Sequence, residues 1–237
     1  MKHFKILSGC LGVILGCVVW CEAQQSPTPS TPSTSSTPPT PSTPPTPALS
    51  ELKEEFDGTA LDAKKWEQYS LGGGGTIKVA GGKLSTSGAS GSRFGVRTVQ
   101  SFNADKFVVS AKVASVTAGL SEASGTPTGN AVLVVLFDNT GVNRLEWILN
   151  SDGRFEAWLM RDGRSERLDG KNLGTKEKSP TLGIGRRGDD YFFMLNGEVG
   201  MQKKIKNLPS TFRVMLYGFG TSKDEWEMVS IITPEQK

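Results

Sequence analysis

Past its first 21 residues this 237-residue chain has no cysteine, and past its third it has no histidine. Cys10, Cys17, Cys21 and His3 all fall in an N-terminal stretch shaped like a secretory signal peptide, residues 1–23. It has Lys2 and Lys5 in front, an apolar run from Ile6 to Trp20, and a Cys-Glu-Ala ending at Ala23. Cleavage after Ala23 leaves a product with no disulfide, no Cys or His nucleophile system, and no imidazole or thiolate metal ligand. Stability must then come from a buried core, which about 190 residues can supply. The chain also lacks any later apolar run of ~18 residues, so no transmembrane helix is expected. A strong excess of one charge is missing too. Removing Lys2, Lys5 and Glu22 from the 27 basic and 24 acidic residues leaves 25 against 23, which gives no reason to propose nucleic acid as a partner. Finally, no segment of ten or more residues carries a helical period; Leu61–Trp66 supports at most a single turn.

What is present begins with a stalk. Residues 24–48 form a linker that is almost entirely Pro, Thr and Ser, a composition that buries no apolar surface and favours a disordered, extended polyproline-like spacer. Its hydroxyls are candidate sites for O-linked sugars. The leader admits an alternative reading as a bacterial lipoprotein signal, because Ile14-Leu15-Gly16-Cys17 has the form of a lipobox. Leu7-Ser8-Gly9-Cys10 matches in letters, but its apolar lead-in is too short. The expected location is therefore secreted or extracellular, with a lipid anchor on Cys17 as the alternative.

Residues 49–237 read as one all-β domain. Strands are expected at Leu52–Phe56, Ile77–Val79, Lys83–Ser85, Arg93–Val99, Phe107–Val116, Ala131–Asp138, Arg144–Leu149 and Phe155–Met160, then at Leu182–Arg186, Tyr191–Leu195, Glu198–Ile205, Phe212–Tyr217 and Trp226–Ile232. Turn signals recur between them at Gly72–Gly75, Gly81-Gly82, Asp152-Gly153, Asp162-Gly163 and Asn196-Gly197. Asn196-Gly197 is the strongest, a two-residue type I′ hairpin pairing Leu195 with Glu198. About thirteen strands without helices imply two stacked antiparallel sheets. Thr117–Gly129 and Asp169–Pro180 are expected as long loops, where binding specificity often sits.

The hairpin Arg144–Met160 carries the candidate chemistry. If Ser151-Asp152-Gly153 is a three-residue loop with glycine in the left-handed position, Asn150 pairs with Arg154 and the register is fixed. Leu145, Trp147, Leu149, Phe155, Ala157 and Leu159 then share one apolar face, and a one-residue slip would destroy that separation. Arg144, Glu146, Ile148, Glu156, Trp158 and Met160 share the other. There Trp158 is a platform for stacking against a sugar ring, with Arg144, Glu146 and Glu156 as hydrogen-bonding neighbours. Arg93 and Arg97, on one side of their strand around Gly95, are expected to complete the surface. Glu146 and Glu156 are diagonal neighbours ~7–8 Å apart at the backbone. Glycosidase carboxylate pairs span about 5 to 9.5 Å, so a hydrolase using these two is the alternative. The plain reading is a solvated face of ordinary ion pairs. Trp147 and Trp66 are expected in the core, and Trp226 is not placed by its neighbours.

Four segments carry a family resemblance. Phe56-Asp57-Gly58 with Leu61-Asp62 and Trp66 is similar to the opening of many secreted members of the concanavalin A-like lectin and glucanase superfamily. Ser92–Ala111 looks like the strand pair in which those proteins pass from a Ser-Arg strand into an apolar one. Leu182–Val199 resembles their run of strand, Arg-x-Gly, aromatic strand and Asn-Gly-Glu hairpin. Trp226–Ile232 is similar to the last strand, which such folds bring beside the first. The resemblance implies a two-sheet antiparallel jelly-roll sandwich of the LamG and glucanase type, behind a disordered stalk. It further implies lectin-like binding of a glycan or polysaccharide. Two departures limit it. The glucanase pattern of two glutamates flanking an aspartate on one strand is missing, since Glu146 is followed by Trp147-Ile148-Leu149-Asn150. Val135-Leu136-Phe137-Asp138 resembles the metal run of legume lectins, but leucine replaces its metal-binding glutamate. A calcium site on Asp138, Asn139 and Asn143 is a weak alternative to a plain polar turn, calcium taking oxygen ligands. A non-catalytic, cofactor-free monomer is the resulting expectation, with a purely structural or adhesive domain as a third class.

Overall fold

A computed structural model describes residues 51–118, 129–168 and 173–234. The expectations for residues 1–50 (leader, anchor and stalk) and for residues 119–128 and 169–172 of the two long loops lie outside the described residues. Among the described residues there is no helix, and there are seventeen strands. They are β1 Glu51–Glu54, β2 Trp66–Ser70, β3 Gly75–Val79, β4 Leu84–Gly88, β5 Arg93–Thr98, β6 Phe102–Asn103, β7 Lys106–Thr117, β8 Asn130–Leu136 and β9 Arg144–Asn150. There follow β10 Arg154–Arg161, β11 Arg164–Arg167, β12 Leu173–Gly174, β13 Thr181–Arg187, β14 Asp190–Leu195, β15 Glu198–Lys204, β16 Thr211–Phe219 and β17 Lys223–Ile232.

All pairings are antiparallel, and they build two sheets. One runs β15-β14-β13-β7-β17-β4-β3, with β1 also on β17; the other runs β11-β10-β9-β8-β16-β5-β2, with β12 on β10 and β6 on β16. β17 carries β7 along one side, and along the other β4 on its first half and β1 on its last. The last strand thus lies beside the first. The sheets stack face to face into a jelly-roll sandwich.

Alternation explains which side of each strand faces in. From the central hairpin Leu145, Trp147, Leu149, Phe155, Ala157 and Leu159 enter the core, each at most 6% exposed. Trp147 bolts the sheets together. It stacks on Phe155 at 5.3 Å, meets Phe193 of the other sheet edge-on at 5.5 Å, and donates its indole N–H to the Met194 carbonyl at 2.9 Å. Trp66 is buried as expected, and Trp226, unplaced by its sequence, is also wholly in the core. The Asn196-Gly197 turn has both residues at positive φ (53° and 85°), as type I′ demands, and pairs Leu195 with Glu198.

The short polar strands diverge from expectation. Leu61–Trp66 does contain one turn, in which the Trp66 N–H reaches the Asp62 carbonyl at 2.8 Å, but Trp66 then opens β2. In β2 the two large apolar residues, Trp66 and Tyr69, are three apart and so pack on opposite faces, leaving no apolar–polar alternation to mark the strand. β11 is polar and exposed throughout and exists by edge pairing to β10 after the Asp162-Gly163 turn.

Candidate functional site

The hairpin register places the site. β9 and β10 pair Leu149 with Phe155, Ile148 with Glu156, Trp147 with Ala157, Glu146 with Trp158, Leu145 with Leu159 and Arg144 with Met160. Gly153 closes the loop at φ 84°, where an added Cβ would also meet the Thr175 carbonyl oxygen at 2.5 Å. Arg144, Glu146, Ile148, Glu156, Trp158 and Met160 therefore lie on the outer face of the second sheet. Trp158 is half-buried and Trp147 wholly buried.

Directly opposed residues share a face, so the pairings map it row by row. One row reads Tyr69, Gly95, Tyr217, Val132, Ile148, Glu156. The next reads Glu67, Arg97, Met215, Val134, Glu146, Trp158, Arg167. Beyond it lie Arg213, Leu136, Arg144, Met160 and Ser165. On the other flank lie Arg93 and Phe219, then Asn130 and Asn150. The residues expected to form one surface thus share a face but fall into two groups. Arg144, Glu146, Glu156 and Trp158 are neighbours. Arg93 and Arg97 sit three strand spacings from β9 and four from β10, roughly 14 and roughly 19 Å, across an apolar strip of Val132, Val134, Leu136, Met215 and Tyr217.

The hairpin group is not a solvated face. Arg144 and Glu146 are 7% and 6% exposed and joined by a 2.6 Å Nε–Oε1 ion pair. Arg144 also donates to the Gly141 carbonyl. The Tyr217 hydroxyl crosses β8 to donate to Glu146 Oε1 at 3.2 Å. Burial pushes that phenol well above its ordinary pKa, and the Glu146 charge adds to the effect. Glu156 accepts from the Trp158 indole N–H at 3.0 Å and from the Asn150 amide at 3.4 Å. The bond to Glu156 holds the indole in place.

The second group is built on Tyr69 and Glu67. The Arg97 guanidinium lies 3.7 Å from the Tyr69 ring centroid and grips Glu67 with two hydrogen bonds, at 2.6 and 3.0 Å. Arg213 reaches the same Glu67 oxygen at 3.1 Å. Gly95 stands between Tyr69 and Tyr217 because a Cβ there would strike the Leu216 carbonyl oxygen at 1.9 Å. Tyr69, Glu67, Arg213 and Tyr217 were not among the expected site residues. The near-unbroken apolar run of β8 was the available signal, since apolar residues on both sides of a strand imply cover on both.

The calcium alternative meets a turn already filled by its own hydrogens. The Asp138 carboxylate accepts from the N–H groups of Thr140, Gly141, Val142 and Asn143 at 2.6–3.3 Å and from the Thr140 hydroxyl at 2.8 Å. Burial works to raise its pKa, but the hydrogen bonds from Thr140 and Asn143 outweigh it and hold the group below its ordinary value. Asn143 Oδ1 accepts from the Asp162 N–H at 3.1 Å, and the Asn139 carbonyl accepts from Tyr69 at 2.6 Å and Arg97 at 3.3 Å. The turn is thereby tied to the arginine group. Among the described residues no cluster of three or more His, Cys, Asp or Glu is placed to hold a metal, and no helix is long and apolar enough to cross a membrane.

The other sheet's outer face offers a depression of about 440 Å³. Its lining is apolar (Val108, Phe192, Met194, Val199, Ile232) apart from Lys106, Arg186 and Arg187. It has no carboxylate and no amide side chain with which to orient a sugar.

No family model and no curated protein sequence matches the chain. Solved structures do. A carbohydrate-binding module, CBM66 from Bacillus subtilis, aligns with TM-score 0.52 and 10% identity over 70% of this chain and 95% of that one. An endo-β-1,3-glucanase from Pyrococcus furiosus aligns with TM-score 0.58 and 12% identity over 78% and 94%. A β-glucanase from Bacillus licheniformis gives 0.54 and 12% over 78% and 99%. At such identities the likeness establishes the fold alone, a concanavalin A-like jelly roll.

Proposed function

We propose that the chain is an exported, non-catalytic carbohydrate-binding domain, held on a Pro/Thr/Ser stalk, that takes a glycan on the outer face of the β9–β10 sheet. The observation that carries this reading is the half-buried Trp158, pinned by Glu156 and set beside the buried Arg144–Glu146 pair. An indole offers a flat apolar surface to the C–H face of a sugar, and the half-buried Glu156 carboxylate and Asn150 amide oxygen beside it accept from its hydroxyls. The similarity to a carbohydrate-binding module and to glucanases supports a glycan as the partner class. Purified protein is expected to be retained by at least one insoluble or immobilised polysaccharide. Trp158→Ala should weaken retention by about tenfold or more, a loss in the range of an aromatic contact plus its buried area. Retention unchanged by that substitution removes this site.

The glucanase likeness favours one second reading, a glycoside hydrolase using Glu146 and Glu156. Their diagonal spacing fits a carboxylate pair. Against it, Glu146 Oε1 is taken by Arg144 and Tyr217, and both oxygens of Glu156 accept from neighbours on the same face. Released reducing ends from a β-glucan or galactan panel, lost in Glu146→Gln, would replace the binding reading with the enzymatic one.

A further inference from the structure

The outer face that carries the proposed glycan site is selective about which cation it uses. Of the chain's 27 basic residues, seventeen are lysine and ten arginine. The rows across that face, with Arg154 at the start of β10, hold six arginines: Arg93, Arg97, Arg144, Arg154, Arg167 and Arg213. They hold no lysine. Lysines decorate the opposite sheet instead, as Lys53, Lys78, Lys106 and Lys112. A guanidinium is planar, always charged and weakly hydrated, and it grips oxyanions with two parallel bonds where an ammonium acts as a hydrated point charge.

The acids nearby do not match these cations one for one. Arg97 and Arg213 share Glu67, Arg144 pairs with Glu146, and Arg154 pairs with Asp152 of the hairpin loop. Arg93 has no carboxylate within ion-pair distance among the described residues. Its guanidinium instead stands 5.0 Å from the ring centroid of Phe219, itself 40% exposed. Glu156 is bonded to the neutral Trp158 and Asn150. The face therefore presents, on β5 and across the apolar strip from Trp158, a half-buried, aromatic-backed guanidinium with unused donors.

We infer that the glycan this face takes is an acidic one, bearing carboxylate or sulfate groups, and that Arg93 is the residue that reads the charge. This rests on the glycan-binding reading and narrows it to a substrate class. The test is affinity measured by calorimetry on the whole purified chain with polygalacturonate, a sulfated galactan, and laminarin as the neutral control. An acidic polymer is expected to bind at least about tenfold tighter than laminarin at low salt, the scale of one charge-assisted hydrogen-bonded contact. That margin should shrink as ionic strength rises. Preference for the polyuronate identifies the charge as carboxylate, and preference for the galactan as sulfate; either supports the inference. Arg93→Gln should lower the acidic-to-neutral ratio about tenfold. Arg154→Gln, at the exposed hairpin end of the same face, tolerates substitution and should lower it by a smaller factor. Lys106→Gln on the opposite sheet should leave the ratio alone. Equal affinity for laminarin and the acidic polymers overturns the inference and leaves glycan binding standing, as does a Lys106→Gln loss equal to that of Arg93→Gln. Binding to none of the three overturns both.

Discussion

Asp224 is fully buried between the sheets, where it accepts from the Thr86 hydroxyl at 2.7 Å and from the Trp226 indole. Thr86 in turn accepts from the Gly218 N–H of the facing sheet at 3.2 Å, so the carboxyl belongs to a bridge across the core. Burial raises its pKa from 3.8 to about 7, against the opposing pull of those two hydrogen bonds. An acid whose pKa is higher folded than unfolded binds more protons in the folded state throughout that interval. The contribution of Asp224 to stability is therefore greatest below about pH 4, falls as pH rises from there to about 7, and is flat beyond. The ceiling on the loss is about 4 kcal/mol. Urea melts of the parent between pH 4 and 8 should show this decline, and Asp224→Asn, with no proton to lose, should flatten it. An equal decline in both would assign it to other groups.

At the scale of elements, the Asp138–Asn143 turn is held by one carboxylate that gathers four backbone N–H groups. Asp138→Ala leaves those donors without their acceptor and should cost about 1–3 kcal/mol, read as a lower Tm. Chelator or added calcium should leave the parent Tm unchanged; a calcium-dependent rise would restore the metal reading. The hairpins, by contrast, were legible in the sequence. Leu145 to Leu159 alternate cleanly, Gly153 and Asn196-Gly197 supply the backbone geometry their turns require, and the observed register is the one these residues predict. Alternation states which side of a strand faces out, but not what lies over that side. Arg144 and Glu146 therefore read as solvated, although the apolar strip and Tyr217 bury them. The same limit hid the separation between Arg97 and Glu146. Sequence order cannot tell which strands come between β5 and β9, and β16, the farther along the chain, is one of them. β2 and β11 were missed because pairing to a neighbour, rather than a buried stripe, holds them in place.

Across the whole molecule the two outer faces differ in kind. One sheet presents an apolar depression edged by basic residues, the other an arginine-rich surface with an indole and two buried ion-paired residues. This division gives the proposed recognition surface a single address. The proposed signal peptide has its own test. Intact-mass measurement of the exported chain should find a product beginning at Gln24, free of thiols and indifferent to reductant in its melting. A lipid-bearing product beginning at Cys17 would establish the anchored form instead.

One indole decides whether the proposed face binds. Of the four tryptophans beyond residue 23, Trp66, Trp147 and Trp226 are at most 1% exposed and Trp158 alone is half-buried. Acrylamide quenching of intrinsic fluorescence therefore reports chiefly on Trp158. A bound polysaccharide should reduce quenching in the parent and change nothing in Trp158→Phe. Saturable binding that leaves the quenching of the parent untouched would contradict the account.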